Sequence, residues 1–229
     1  MLSPDDIKNK LGIYAADFVK QGMTIGLGTG STVYWLIQEL GIRVKQGLDI
    51  AIVPTSVQTQ QLAKEAGIKV TDLDNILRLP LTIDGADEID GRGQMIKGGG
   101  GALLQEKIVA SASDELIIIA DSSKIVSQLG QFPLPVEVIP FGYKQVIQKI
   151  IQTGICKNVT LRQKDHQAFI TDHQHYILDC DCKKIENAVL VNNTLHNIPG
   201  VVETGLFIDM ANKLIAGYED GKIEMTTYR

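Results

Sequence analysis

Between Met23 and Asp121 apolar residues gather into short unbroken runs, and the stretches separating them repeat apolar positions at helical spacing. The runs Thr24 to Leu27, Ile50 to Val53, Lys69 to Thr71, Leu81 to Ile83 and Leu116 to Ala120 show little polar alternation, as strands covered on both faces of a parallel sheet do. The intervening spacing predicts helices over Ser31 to Leu40, Ser56 to Ala66 and Gly101 to Ser111. Strand and crossover helix in alternation predict an α/β fold, a Rossmann-like, doubly wound and mostly parallel sheet. Ahead of it Ser3 reads as an N-cap and Pro4 as the first helical residue. Asp5 and Asp6 suit the first turn, and Ile7, Leu11, Tyr14, Ala15 and Phe18 form an apolar stripe.

The pattern changes after Gly130, at Phe132-Pro133-Leu134-Pro135. Beyond it the spacing predicts a strand at Val136 to Ile139, a helix at Gly142 to Thr153, a strand at Asn158 to Arg162 and a strand pair around Ala168 to Asp179. A helix at Lys183 to Asn192 and a short strand at Val201 to Glu203 follow. Apart from the extra strand this is the β-α-β-β-α-β order of a small ferredoxin-like α+β domain. Glu219-Asp220-Gly221 separates two apolar segments of the tail as a hairpin turn does. The expected division is therefore 1–130 with 205–229 as the larger domain and 131–204 as the smaller, the latter expected to serve assembly.

Composition narrows the function. Twenty-two Lys and Arg against twenty-seven Asp and Glu give a net charge of −5, which argues against nucleic-acid binding by phosphate neutralisation. No apolar run approaches the 18 or so residues that span a bilayer, and Asp5 and Asp6 interrupt the opening where a secretory signal would be apolar. Three cysteines, Cys156, Cys180 and Cys182, do not make a disulfide framework, so a cytoplasmic protein is expected.

Candidate chemistry lies at the predicted strand ends. Gly26-Leu27-Gly28-Thr29-Gly30-Ser31-Thr32 follows a strand and opens a helix, which places free amides and the positive helix end around an anion. It lacks the third Gly or Ala of a dinucleotide fingerprint and the Lys of a P-loop. What remains is a cradle for one phosphate monoester, or an ordinary glycine turn with Ser31 as N-cap. Asp84 ends another strand, and Gly85 and Ala86 leave little bulk between it and Asp87, so both carboxylates can face one small space and titrate as a pair. Glu88 and Asp90 read as a solvated acidic loop; a Mg²⁺ site is the other plain reading of these acids. Lys97, with Gly98, Gly99, Gly100 and Gly101, offers a positive charge and bare amides instead. Glu106 stands in the first turns of the next helix, and Lys124 follows a further strand end.

This inventory suits proton transfer beside a carbonyl rather than hydride transfer. A positioned general base contributes about 10² to 10⁴ in rate, roughly 3 to 5.5 kcal/mol. Enediolate stabilisation and phosphate-based orientation must supply the rest. A non-catalytic sugar-phosphate sensor would need a DNA-binding extension. An acyl-CoA transferase-like enzyme on a similar sheet would need a carboxylate nucleophile.

Taken in order, Gly26 to Thr32, Thr55-Ser56, Asp84-Gly85-Ala86-Asp87-Glu88, Lys97-Gly98-Gly99-Gly100, Glu106-Lys107 and Ala120-Asp121-Ser122-Ser123-Lys124 resemble type A ribose-5-phosphate isomerases. Pro135-Val136-Glu137-Val138 and Gly200 to Phe207 extend the resemblance over most of the chain. It implies metal-independent interconversion of ribose 5-phosphate and ribulose 5-phosphate in the non-oxidative pentose phosphate pathway, without cofactor, by a homodimer or homotetramer. It further implies that Glu106 shuttles the proton between C1 and C2, that Asp84 and Asp87 handle ring opening and hydroxyl protons, and that Lys97 stabilises the enediolate. Lys8, Ser31, Thr32 and Lys124 would hold substrate, chiefly its phosphate, with Thr29, Gly30, Gly98, Gly99 and Gly100 also in the binding set. One departure is Thr171-Asp172-His173-Gln174-His175, where the family usually has an Asn-Gly-Asn turn; Cys180 and Cys182 follow. Their spacing lacks a structural-zinc pattern, so exposed histidines and half-buried thiols without metal are expected.

Overall fold

A computed structural model describes residues 1–228, and the chain forms two compact units. The first comprises Met1–Ala86, Gln105–Ile125 and the chain from Met210 onward. Its sheet has seven strands in the order Ile223–Thr227, Lys213–Gly217, Leu116–Asp121, Thr82–Asp84, Thr24–Leu27, Ala51–Pro54, Lys69–Val70. All neighbours run parallel except the last two strands of the chain, which form the expected hairpin around Gly221 at φ +86°. Ile117, Ile118 and Ile119 are wholly buried, which is why their strand reads as one apolar run.

The helices match expectation closely. Pro4–Ala16 begins with Ser3, whose hydroxyl accepts from Asp6 N at 3.2 Å while Asp6 Oδ2 accepts from Ser3 N at 3.1 Å, a reciprocal cap. Ser31–Lys45 runs five residues beyond the predicted end, because the buried face continues through Gly41 and Val44. These two helices touch backbone to backbone: a Cβ on Gly12 would lie 2.7 Å from Leu36 N.

The second unit comprises Asp87–Leu104 and Val126–Asp209. Its four-stranded antiparallel sheet runs Asn158–Leu161, Tyr176–Asp181, Leu134–Val138, Val201–Thr204, with the helices Tyr143–Gln152 and Ala188–His196 in the β-α-β-β-α-β order. Two local expectations are corrected. The strand pair expected around Ala168 to Asp179 forms only in part: Tyr176–Asp181 is a strand and Ile170 meets Tyr176 in one antiparallel bridge, while Gln167–Ala168 pairs with Gln163–Lys164 in a small hairpin turned at Asp165 and His166 in left-handed conformations. The last helix starts at Ala188, not Lys183, since Lys183 takes φ +60° and Asn187 provides the cap, accepting from Leu190 N at 2.9 Å.

Asp87–Leu104, expected with the larger domain, packs within the second unit. The reason is hydrogen bonding: Met95–Ile96 pairs with Leu206–Phe207, Lys97 N donates to Gly205 O at 2.9 Å, and Glu88 accepts from Gly130 N and Phe132 N at 2.7 and 2.6 Å. Glu88 is thus a buried tie, not a solvated acid. Asp90 is buried too and closes its own turn by accepting from Arg92 N and Gln94 N, both at 2.9 Å.

Candidate active site

In the first unit, strand order fixes where a ligand can approach. From Thr24–Leu27 the chain adds strands on one side, then returns to add Thr82–Asp84 and Leu116–Asp121 on the other. The crevice beyond the carboxyl ends at this reversal is the usual ligand position in open α/β sheets. Leu27 is in register with both Ile83 and Pro54, so Gly28 and Thr29 emerge beside Asp84 and Thr55. The approach is close enough to demand glycine: a Cβ on Gly28 would sit 1.9 Å from Asp84 Oδ1. That oxygen accepts from Thr29 N at 3.2 Å and Gly85 N at 2.7 Å.

The turn is braced from inside by hydroxyls. Thr29 Oγ1 lies 2.8 Å from Thr55 Oγ1, 2.8 Å from Ser56 Oγ and 3.1 Å from Thr59 Oγ1, and Thr59 Oγ1 donates to Gly28 O at 2.8 Å. The Thr29 side chain, expected among the substrate contacts, is therefore turned into this cluster. Thr59 escaped the sequence reading, although it stands three residues after the N-cap Ser56, where its amide meets the cap oxygen at 3.0 Å. Replacing Thr59 by Val keeps the volume and leaves the buried Gly28 carbonyl without this donor. A loss of about 1–3 kcal/mol is expected in urea unfolding.

Ser31 is the first helical residue, not the cap. Gly30, at φ +125°, is the N-cap and supplies no side-chain bond, so no capping side chain covers the amides at this helix start. Gly30 and Ser31 are exposed and Thr32 is half-buried. A cleft of about 420 Å³ opens beside them, lined also by Asp5, Tyr34, Gln58 and Thr59. Lys8 stands one turn beyond Asp5 on the first helix, 3.5 Å from its carboxylate. Lys124 ends the 3₁₀ turn Ser122–Lys124 after Leu116–Asp121, with Asp121 accepting from Ser123 N at 3.1 Å. Glu106 is buried in the first turn of Leu103–Ser111, where a carboxylate is favoured. Its neighbour Gln105 donates to Pro54 O at 2.9 Å, tying the helix to the strand Ala51–Pro54.

The second unit holds Asp87, Lys97 and the glycine loop. Asp87 N donates to Ile96 O at 2.9 Å, and its Oδ2 accepts from Gly99 N at 2.7 Å. Lys97 is only 2% exposed, its ammonium 5.4 Å from the Phe207 ring centroid, a cation–π distance. Gly98 takes φ +101° and its carbonyl accepts from Gly101 N at 2.9 Å, closing a tight turn; a Cβ on Gly99 would press to 2.5 Å from Asp87 Oδ1. Gly99 and Gly100 are exposed.

The histidine and cysteine cluster of the sequence does not assemble. His173 is exposed, whereas His175 Nδ1 lies 3.0 Å from Oε1 of the buried Glu137. The three thiols are buried in the core of the second unit rather than half-buried. Hydrogen bonding to Cys156 and burial hold the Cys180 thiol well above its ordinary range. Among the described residues no group of three or more His, Cys, Asp or Glu is placed to hold a metal ion, and no helix is long and apolar enough to cross a membrane.

Residues 51–221 match the family model described as ribose 5-phosphate isomerase A (phosphoriboisomerase A). A ribose-5-phosphate isomerase A of Bacillus mycoides is 56% identical over 217 residues, covering 94% of this chain and 97% of that one. Ribose 5-phosphate isomerase from Plasmodium falciparum superposes with a TM-score of 0.94 at 36% identity, covering 97% and 98% of the two chains. A D-ribose-5-phosphate isomerase in complex with phospho-erythronic acid gives a TM-score of 0.94 at 35% identity, covering 99% and 100%.

Proposed function

The chain belongs to the ribose 5-phosphate isomerase A family, and from that premise we propose how its residues interconvert D-ribose 5-phosphate and D-ribulose 5-phosphate. The phosphate is held at the start of the helix Ser31–Lys45, by the amides of Gly30 to Thr32, the hydroxyls of Ser31 and Thr32, and Lys8 and Lys124. The single observation that carries this assignment is the glycine-capped, exposed helix start beside the buried Asp84, at the sheet's reversal. The related enzyme solved with phospho-erythronic acid accepts a phosphorylated acid, in keeping with a site that recognises phosphate at one end of a short sugar chain.

Asp84 and Asp87 serve ring opening and the hydroxyl protons. In the open chain Glu106 removes the proton from C2; the electron pair moves toward C1, and the aldehyde oxygen gains charge as an enediolate. Lys97 and the amides of Gly98, Gly99 and Gly100 stabilise that oxygen. Glu106 then returns its proton to C1 while the C2 hydroxyl proton passes, by way of the Asp84 and Asp87 carboxylates, to the C1 oxygen, leaving the ketose. A buried carboxylate suits the first role, since exclusion of water keeps the abstracted proton from exchanging away. A buried ammonium suits the second, because little dielectric screening intervenes. The reaction belongs to the non-oxidative pentose phosphate pathway, in a cytoplasmic homodimer or homotetramer.

Turnover is expected to persist in EDTA, since the side chain of Lys97 supplies the cation. Ketose formation from ribose 5-phosphate, followed with and without chelator, checks both points. Absence of ketose would overturn the function, and loss of turnover in EDTA alone would overturn the role given to Lys97.

A further inference from the structure

The glycine loop after Lys97 is gripped by an ion pair that no step above uses. Arg162 follows the strand Asn158–Leu161, and its backbone is fixed on both sides: its N–H donates to Ile177 O at 2.8 Å and its carbonyl accepts from Phe169 N at 2.9 Å. Its guanidinium faces two ways. Nε and Nη2 donate to the two oxygens of Asp179, at 3.0 and 2.5 Å, while Nη1 donates to Gly98 O at 2.7 Å and Gly99 O at 3.1 Å. Both partners are mostly buried, at 14% and 22% side-chain exposure, so the contact is little screened.

The carbonyl of Gly98 and the N–H of Gly99 belong to one peptide plane. Arg162 holds the oxygen of that plane, and its N–H is the donor that holds Asp87 Oδ2. Peptide planarity couples the two ends: rotating the plane to release Arg162 also turns the N–H away from Asp87. A charged donor on the oxygen further polarises the amide toward its carboxylate acceptor. The anchor matters here because glycines on both sides of the plane resist rotation least of all residues.

We propose that Arg162, oriented by Asp179, is a positioning residue for the isomerisation. It locks the Gly98–Gly99 peptide plane and thereby sets the Asp87 carboxylate and the backbone that follows Lys97. The proposal rests on the roles given above to Asp87 and Lys97. It also explains why arginine stands here: lysine would keep the charge but could not reach Asp179 in two-pronged fashion and two carbonyls at once.

Arg162→Lys tests it, read by steady-state kinetics with ribose 5-phosphate and by hydrogen exchange of the folded protein. The expected result is a fall in kcat of about tenfold or more with KM within about threefold, the signature of displaced groups that act mainly in the transition state. Amides of residues 97–104 should exchange faster while those of 134–138 and 176–181 keep their parental rates. Parental kcat in a variant whose loop exchange has risen would overturn the proposal, as would unchanged loop exchange. Should Arg162→Lys not fold, Asp179→Asn, which keeps the shape and one acceptor, carries the same test; faster exchange throughout the second unit in both variants would mean a purely structural pair and would also overturn it. A parent protein that makes no ketose would instead overturn the proposed function, and the exchange pattern would still report whether the ion pair holds the loop.

Discussion

Glu106→Gln should lower kcat for ribose 5-phosphate by about 10² to 10⁴, the contribution of a positioned general base, or about 3 to 5.5 kcal/mol of activation free energy. The substitution is nearly isosteric, and it leaves Gln105 to keep its 2.9 Å bond to Pro54 O, so the helix Leu103–Ser111 should stay docked on its strand. Thermal unfolding within a few degrees of the parent, measured beside ketose formation, separates lost chemistry from lost fold. The amide accepts hydrogen bonds but cannot take up a proton near neutral pH, and KM should move little because phosphate contacts are untouched. Activity within about threefold of the parent would remove Glu106 from the proton path.

Gly28→Ala should be nearly as severe for a different reason. The new methyl would lie 1.9 Å from Asp84 Oδ1 and 2.1 Å from its Cγ, and a Cβ has no rotamer by which to escape. Either Asp84 leaves its bonds to Thr29 N and Gly85 N, or the turn lifts away from the hydroxyls of Thr55, Ser56 and Thr59. Overpacking of this kind costs about 1–3 kcal/mol, and a shift of about 1 Å in a reacting group costs on the order of 10²-fold in rate. Urea unfolding and turnover should both report the change. Gly91→Ala is the control, since a Cβ there meets nothing within 4 Å, and it should behave as the parent in both measurements.

Much of this architecture could be read from the chain. The strands Thr24–Leu27 and Leu116–Asp121 announced themselves because burial on both faces leaves no polar alternation to confuse the reading, and the first helix because its cap is local. Two of the candidate carboxylates lie in the elements that the sequence predicts, Asp84 at the end of a strand and Glu106 in the first turn of a helix. What escaped was decided by partners far away in sequence. Glu88 looked solvated because nothing nearby announces that Gly130 and Phe132, more than forty residues on, will donate to it. The same separation moved Asp87–Leu104 into the second unit, and it hid Arg162, whose importance lies in carbonyls over sixty residues earlier. The helix predicted from Lys183 failed on a backbone choice: nothing in apolar spacing signals a lysine in the left-handed region.

The seven-stranded sheet also sets a timetable for the newborn chain. Leu116–Asp121, the most apolar strand, has one neighbour in Thr82–Asp84, made earlier, and the other in Lys213–Gly217, made about ninety residues later. At ribosomal speeds of about 5–20 residues per second, its outer edge waits roughly 5–20 s for a partner. During that interval Ile117, Ile118 and Ile119 sit beside an open row of amides and carbonyls, the kind of edge that recruits other chains. Meanwhile most of the second unit, whose sheet and helices lie between residues 134 and 204, is synthesised and can close on itself. The hairpin of Lys213–Gly217 and Ile223–Thr227 thus completes the sheet, and its arrival covers the edge that Leu116–Asp121 leaves open.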